Sequence, residues 1–436
     1  LLVAVHLLIL FGAIVLGARM GSIAIGFAGG LGVILLGLTG VSVTAEDIPF
    51  DVIGIIMCVI AAISAMQLAG GMDFLVDVAG RALRRNPRRV TFLAPVVTWS
   101  MTVFAGTGHT AFSTLPVIVE VAKEGRVRPS RPLSAAVIAS QMGIVASPIS
   151  AAVVFMASIL EPLGVGYLQV LAVSIPATFL ALLPTAWVAN RLGAELEDDP
   201  VYLGRLNAGL VTPPVPAAKR SATRSAKASV GIFFAAIVAV MCYATAISEQ
   251  VGLITEPNVP RNEAIMAIML ASAAAIVLVS RRSAGEVLNT QVFRSGMSAS
   301  VCVLGVAWLG TTFINHYLES IQSIAGGVLT TQPWLLAIVL FFAACLLYSQ
   351  AATAKALIPA ALAMGVSPLT AVAAFPAVSA LFVLPTYPTL LAAVEMDDTG
   401  STRIGKFVFN HPFLIPGVVC ITVSVILGYG IGTLVL

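Results

Sequence analysis

Charge is what this chain has least of. Of its 436 residues only 10% are Asp, Glu, Lys or Arg, whereas 59% are hydrophobic. A soluble domain carries about 25% charged residues, so this chain cannot cover itself with polar groups and is expected in a lipid bilayer. Its formal charge of +3 is small and scattered, which excludes a nucleic-acid-binding surface. No Asp or Glu falls in the middle of any long apolar run. That removes paired carboxylates for acid–base catalysis, and it removes the intramembrane acid that proton-coupled carriers use. No Ser-His-Asp order, H-E-x-x-H or nucleotide-binding loop occurs either, so no enzyme is expected. Cysteine and histidine are equally sparse. Cys58, Cys242, Cys302, Cys345 and Cys420 each stand alone in an apolar run without C-x-x-C spacing, and read as small buried hydrophobes. His6, His109, His316 and His411 are far apart in the sequence. No metal site and no cofactor are expected.

What the chain does have is apolar runs of membrane-spanning length. A helix needs about 20 apolar residues to cross the hydrocarbon core. Runs of that kind lie at roughly 1–17, 22–39, 52–69, 133–160, 166–190, 230–248, 263–280, 295–316, 368–394 and 408–435. Two more, at about 91–121 and 333–363, are interrupted at their centres by polar, helix-breaking residues. Each of their arms is too short for a full crossing, so both read as re-entrant hairpins. The expected fold is an all-α polytopic membrane protein of about ten transmembrane helices plus two re-entrant hairpins.

Basic residues fix the orientation. If both hairpins return to the side they entered from, 21 of the 23 Lys and Arg face the cytoplasm. Only Arg261 lies outside, and Lys355 lies within the second hairpin. A full crossing by the first hairpin would put Lys123, Arg126, Arg128 and Arg131 on the wrong side. Both termini are then expected to be periplasmic. The polar stretch 191–229 reads as a cytoplasmic linker between residues 1–190 and 230–436. Each half holds five spans and one hairpin, and an odd number makes the second half an inverted repeat of the first. Met72–Arg89 mixes acidic, basic and apolar residues and reads as an amphipathic interfacial helix.

The interruptions come as a motif written twice. The first copy is Ala105-Gly-Thr-Gly-His109-Thr-Ala-Phe-Ser-Thr-Leu-Pro116, followed by Ala146-Ser-Pro-Ile-Ser150. The second is Ser349-Gln-Ala-Ala-Thr353-Ala-Lys355-Ala-Leu-Ile-Pro359, followed by Leu384-Pro-Thr-Tyr-Pro-Thr389. Matched breaks in two halves point to a carrier's binding site at the membrane midplane. Gly106, Gly108, Pro148, Pro385 and Pro388 would free backbone N–H groups at half-helix N-termini, which favour anions. Thr107, Thr110, Ser147, Ser150, Ser349, Thr353, Thr386 and Thr389 add neutral hydroxyl donors suited to carboxylate oxygens. Gln350 and Tyr387 are further polar candidates. Lys355 inside a hairpin costs roughly 2.5–3.5 kcal/mol on insertion scales unless paired or hydrated, and it would complement a substrate carboxylate. His109 holds the comparable place in the first hairpin, where it could bond substrate or change charge with pH. Glu395, Asp397, Asp398 and Arg403 are expected in a solvated loop. Gln67 and Gln141 are candidates to face a cavity.

At these residues the chain resembles the anaerobic C4-dicarboxylate transporter (Dcu) family, closest to its A-type subgroup. The resemblance is carried by Gly106-Thr-Gly-His109, Gln141-Met-Gly-Ile-Val-Ala-Ser-Pro148, Ser349-Gln-Ala-Ala-Thr353, Phe382-Val-Leu-Pro-Thr-Tyr-Pro-Thr389, Met396-Asp-Asp-Thr-Gly-Ser-Thr-Arg-Ile-Gly405 and Asn410-His-Pro412. It implies uptake, efflux and exchange of fumarate, succinate, malate and aspartate across a bacterial inner membrane. It also implies a homodimer with a scaffold part and a moving transport part. More distantly the hairpins look like those of elevator carriers in the ion-transporter superfamily. Members with sodium sites carry Ser-Asn-Thr at both tips, and this chain does not. Two alternatives stay open at this point: a sodium- or proton-coupled symporter, whose partner would include a coupling cation, and a membrane co-sensor of a signalling kinase.

Overall fold

The computed structural model describes residues 2–20, 23–48, 50–212, 223–247, 253–385, 387–405 and 409–436. Among them the chain is helical, with no strand. The first half runs α1 (Leu2–Met20), α2 (Ala24–Leu38), α3 (Phe50–Leu68), α4 (Gly71–Arg84), α5 (Val90–Ala105), α6 (Ala111–Glu124), α7 (Ser130–Met142), α8 (Ala151–Leu160) and α9 (Tyr167–Ala189). A short α10 (Pro200–Asn207) lies in the polar stretch. The second half runs α11 (Arg224–Ala246), α12 (Arg261–Ser280), α13 (Gln291–Thr331), α14 (Leu335–Leu347), α15 (Gln350–Ala363), α16 (Pro368–Ala374), α17 (Pro388–Met396) and α18 (Leu414–Val435).

By length and composition five described helices can cross a membrane: α9, α11, α12, α18 and Val292–Tyr317 of α13. A sixth results if the bent pair α3 and α4 counts as one span. The other apolar helices are shorter, among them Leu2–Gly17, Gly26–Leu38 and Leu335–Cys345. Two runs drawn as single spans are broken in the structure. The 133–160 run splits into α7 and α8 around Gly143–Ser150, and the 368–394 run splits into α16, a 3-10 turn and α17. Pro148, Pro385 and Pro388 are the local cause, because proline has no N–H and clashes with the preceding turn. Two boundaries also differ from expectation. Helix α11 starts at Arg224, capped by the Thr223 hydroxyl, and α13 runs on to Thr331 well past residue 316.

The expected amphipathic segment is helix α4. It leaves α3 at an angle of 78°, through Gly70 in the left-handed conformation. Met72, Ala79 and Leu83 are buried on one face, and on the other Arg84 pairs with Glu124 at 3.2 Å. A Cβ on Gly71 would stand 2.4 Å from the Ser229 hydroxyl, so glycine there lets α4 meet α11 closely.

Packing partners correspond between the halves. Helix α1 packs on α2 as α11 packs on α12; α2 packs on α13 as α12 packs on α3; α3 meets α13 and α9 meets α18. Helix α5 packs on α7, while α14 packs on the 3-10 turn after α16. Across the halves, α8 packs on α15 and α6 on α17. Most of the molecule shares one apolar core, while α1, α2 and Leu309 of α13 pack in a second, smaller cluster, and burial of apolar side chains against one another sets the arrangement.

At the end that carries the basic clusters, the polar stretch is tied to both halves. Arg128 Nη1 sits 2.6 Å from Asp199, both groups buried, and Arg131 Nη1 sits 3.0 Å from Glu195. Asp398 accepts from Lys123 Nζ at 3.2 Å and from the Thr212 N–H at 2.9 Å. Burial pushes the Asp398 carboxyl up, but the Thr212 and Lys123 bonds outweigh it and hold the group below the ordinary carboxylate range. Asp397 is 4% exposed and accepts from Thr399 N–H, Ser401 Oγ and Thr402 N–H. The loop expected to be solvated is therefore exposed at Glu395 and Arg403 but forms a buried, self-bonded turn at Asp397 and a latch at Asp398. Its own hydroxyls and amides replace water around the carboxylate, which is what makes the burial tolerable.

Candidate substrate cavity

Helix α5 ends at Gly106, whose φ of +69° is left-handed, and α14 ends at Tyr348 with φ of +52°. The first arms of the two hairpins thus stop by the same backbone device. Serines restart α8 after the Gly143–Ser150 break and α15 after Tyr348, whereas α6 starts after Thr110 without a side-chain cap. The Ser150 hydroxyl accepts from the Val153 N–H at 3.2 Å, and the Ser349 hydroxyl accepts from the Ala352 N–H at 3.2 Å. Helix α17 restarts at Tyr387 with Pro388 in its first turn, the position where a missing N–H costs nothing.

These restarts converge on one cavity of 520 Å3, within the size range of small-molecule sites. Its polar side is made by Gly106, Thr107 and Gly108 of the first tip, Ser150, Ala151 and Ala152 at the start of α8, Ser349, Gln350 and Ala351 at the start of α15, and Tyr387 and Pro388 at the start of α17. Three α-helix N-termini and a 3-10 turn therefore face one space. Their unbonded N–H groups and dipoles make it attractive to anions. The opposite wall is apolar, formed by Ile55, Ile56, Val59 and Ile60 of α3, and then by Ser298 and Cys302 of α13.

Of the residues singled out in the sequence, Thr107, Gly108, Ser150, Ser349, Gln350 and Tyr387 line the cavity. The others serve behind it. Thr110 bonds the Thr107 carbonyl at 3.2 Å and reaches the Thr102 hydroxyl at 3.3 Å. Ser147 donates to the Val103 carbonyl at 2.7 Å, pinning the first broken helix to α5. The Pro148 carbonyl accepts from the Tyr167 hydroxyl. Thr353 donates back to the Ser349 carbonyl at 2.8 Å. Thr389 accepts from Gln141. Lys355 lies one turn past the lining residue Ala351 and pairs with Asp51 of α3 at 3.7 Å. Thr386 and the side chain of His109 lie outside the described residues.

Four features of the site went unread. Gln141 of α7 ties the second hairpin to the second broken helix: its Oε1 accepts from Gln350 Nε2 at 2.9 Å and its Nε2 donates to Thr389 Oγ1 at 3.1 Å. Gln67, by contrast, accepts from the Val292 N–H and does not line the cavity. Arg294 and Glu395 are the charged residues lining it, on α13 and the last turn of α17. Cys302 lines the wall and Cys242 is exposed, so these two are not the buried hydrophobes expected. The histidines are not all apart either: His6 and His316 stack edge-on with ring centroids 5.8 Å apart, and His6 Nδ1 bonds the Tyr317 hydroxyl at 2.6 Å. Long-range pairings of this kind leave no local signal.

Gly106 gives a direct check on the tip. A Cβ there would meet Ile149 Cγ1 at 2.8 Å, and the left-handed backbone alone costs a non-glycine residue about 1–2 kcal/mol. Gly106→Ala is expected to lower the thermal unfolding midpoint. An unchanged midpoint would show that the tip relaxes freely.

With this geometry the comparisons are decisive. A family model described as anaerobic C4-dicarboxylate membrane transporter matches residues 2–436. The chain belongs to that family. It is 58% identical over 436 residues to the C4-dicarboxylate transporter DcuA of Wolinella succinogenes, covering 99% of each chain. To the protein of the same name from Escherichia coli K12 it is 53% identical over 437 residues, covering 100% of each. To the anaerobic C4-dicarboxylate transporter DcuB of Escherichia coli O6:H1 it is 34% identical over 446 residues, covering 98% of each. The chain is thus a multi-pass membrane transporter and not an enzyme.

Proposed function

We propose that the chain carries C4-dicarboxylates such as fumarate, succinate, malate and aspartate across the bacterial inner membrane, mainly by exchange. The observation that carries this reading is the convergence of helix N-termini from both halves on one cavity. Paired carboxylates would be held by N–H groups and by the Thr107, Ser150, Ser349 and Tyr387 hydroxyls. The four carbons of the chain would lie against the α3 wall.

The translocation step we propose is of the elevator kind. The hairpins and broken helices (α5–α9, α14–α18) would move as a body against α1–α3 and α11–α13. The matched packing of the two halves supports an inverted repeat of residues 1–190 and 230–436. An apolar wall on α3 supports sliding, since it offers few hydrogen bonds that must break. The distribution of Lys and Arg supports a cytoplasmic basic end and periplasmic termini.

Proteoliposomes loaded with unlabelled succinate are expected to accumulate labelled succinate by counterflow. Fumarate, malate and aspartate inside should drive the same uptake, and empty vesicles should take up little. Uptake into empty vesicles that follows a sodium or proton gradient would replace exchange by cation coupling.

A further inference from the structure

A second cavity, of 300 Å3, lies at the basic end, away from the tips, between the start of α7, the end of α9 and the segment before α18. Its charged lining residues are Arg128, Arg131 and Arg403, with Asn410 and His411 beside them. The acids that face these arginines are Asp199, shared by Arg128 at 2.6 Å and Arg403 at 3.9 Å, and Glu195, held by Arg131. Three guanidinium groups thus stand against two carboxylates.

Donor capacity is left over. Arg128 uses Nε on Ser130 and Nη1 on Ala194 and Asp199, and its Nη2 has no bond among the described residues. Arg403 uses Nη1 on the Gly400 carbonyl, and its Nε and Nη2 are likewise unbonded among them. His411 is 8% exposed. Its Nε2 donates to the Val383 carbonyl at 3.2 Å, so in the neutral ring its buried Nδ1, without a partner among the described residues, is an acceptor and adds no donor. Surplus positive charge with guanidinium N–H groups open to solvent, the Arg403 side chain being 52% exposed, suits an anion that enters the cavity from outside.

The surroundings indicate which anion. Next to the lining residues Ala189 and Leu192, Arg191 stacks on Trp187 at 3.4 Å, and Trp187 is 53% exposed. An exposed Trp beside Arg marks the membrane–water interface. Ile415, which also lines the cavity, is 52% exposed at the start of a spanning helix. The cavity therefore opens at headgroup depth beside an apolar, lipid-facing surface.

We propose that this cavity binds the phosphate of an anionic phospholipid headgroup, with Arg403 and Arg128 as its donors and the acyl chains running past Ile415. The site rests on the transporter reading only for its place at the membrane, since none of its lining residues lines the substrate cavity. A headgroup there touches both halves and the segment that joins them, so it would brace the end of the molecule where α9 and α18 meet.

The test is thermal unfolding of the full-length protein in neutral detergent, titrated with phosphatidylglycerol, phosphatidylcholine, inorganic phosphate or succinate. Phosphatidylglycerol is expected to raise the midpoint of the wild type saturably, and phosphatidylcholine is not. In Arg403→Gln the half-saturating phosphatidylglycerol concentration should rise roughly tenfold, as expected for loss of one charge-assisted contact. Arg403→Lys should recover part of that. Arg88→Gln, at an exposed position outside the cavity, should behave as wild type, and stabilisation by succinate should be the same in all variants. Equal stabilisation by both lipids, or an unchanged titration in Arg403→Gln, would overturn the site. Saturable stabilisation by inorganic phosphate matching that by phosphatidylglycerol would overturn the lipid as its occupant. Loss of succinate stabilisation in every variant, with the lipid titration intact, would count against the substrate cavity and leave this site standing.

Discussion

Replacing Gln141 by Leu is expected to lower succinate exchange about 100-fold while leaving the helical content of the protein intact. Gln141 is 1% exposed, and its amide is spent on two elements of the second half at once. Gln350 donates to it from the second hairpin, and it donates to Thr389 of the second broken helix. Its backbone carbonyl accepts from Ser379 at 3.3 Å. Leucine fills a similar volume but leaves the Gln350 amide and the Thr389 hydroxyl buried without that partner, at about 1–3 kcal/mol each. The relief available is for the α15 start to move away from α17, and a displacement of 1 Å at a positioned site costs about 100-fold. Exchange is measured in proteoliposomes, and circular dichroism checks the fold. Rates within threefold of wild type would show that the tips hold their positions independently.

How much of this was legible in the sequence follows from how local each signal is. The breaks were legible because Gly106, Pro148 and Pro385 act on their own backbone, and Ser150 and Ser349 cap the helices that start beside the cavity. Helix α4 was legible from its alternation of apolar and charged residues, though its 78° departure from α3 depends on a close approach to Ser229 that no pattern announces. The Gln141 link was not legible, because its partners lie 209 and 248 residues away. The loop after α17 misled for a related reason. Asp397 and Asp398 look solvated by type, but Thr399, Ser401 and Thr402 wrap one, and the distant Lys123 and Thr212 hold the other. Charge that is satisfied across the fold reads as surface charge until the fold is known.

Lys355 supplies the second large effect, and its position changes the reason for it. From the sequence it is a candidate ligand for a substrate carboxylate. In the structure it stands one turn from the lining residues and pairs with Asp51, across the boundary between the hairpins and α3. If the hairpins travel along α3, that pair must part, because Lys355 moves and Asp51 stays. An ammonium without its partner in a low-dielectric path costs several kcal/mol. On the proposed mechanism, a dianion in the cavity, about one helical turn or 5 Å away, would supply a counter-charge for the ammonium, so the loaded carrier would cross more easily than the empty one and exchange would dominate. Lys355→Gln removes the penalty on the empty carrier. Net efflux of succinate into dicarboxylate-free medium is expected to rise about tenfold relative to exchange, which corresponds to about 1.4 kcal/mol of barrier. Asp51→Asn strips the pair in this state only and keeps the ammonium, so it should leave net efflux low. The double variant should behave like Lys355→Gln alone. A wild-type ratio of net efflux to exchange in Lys355→Gln would place the coupling elsewhere, and Arg294 on the cavity wall would then be the charge to change next.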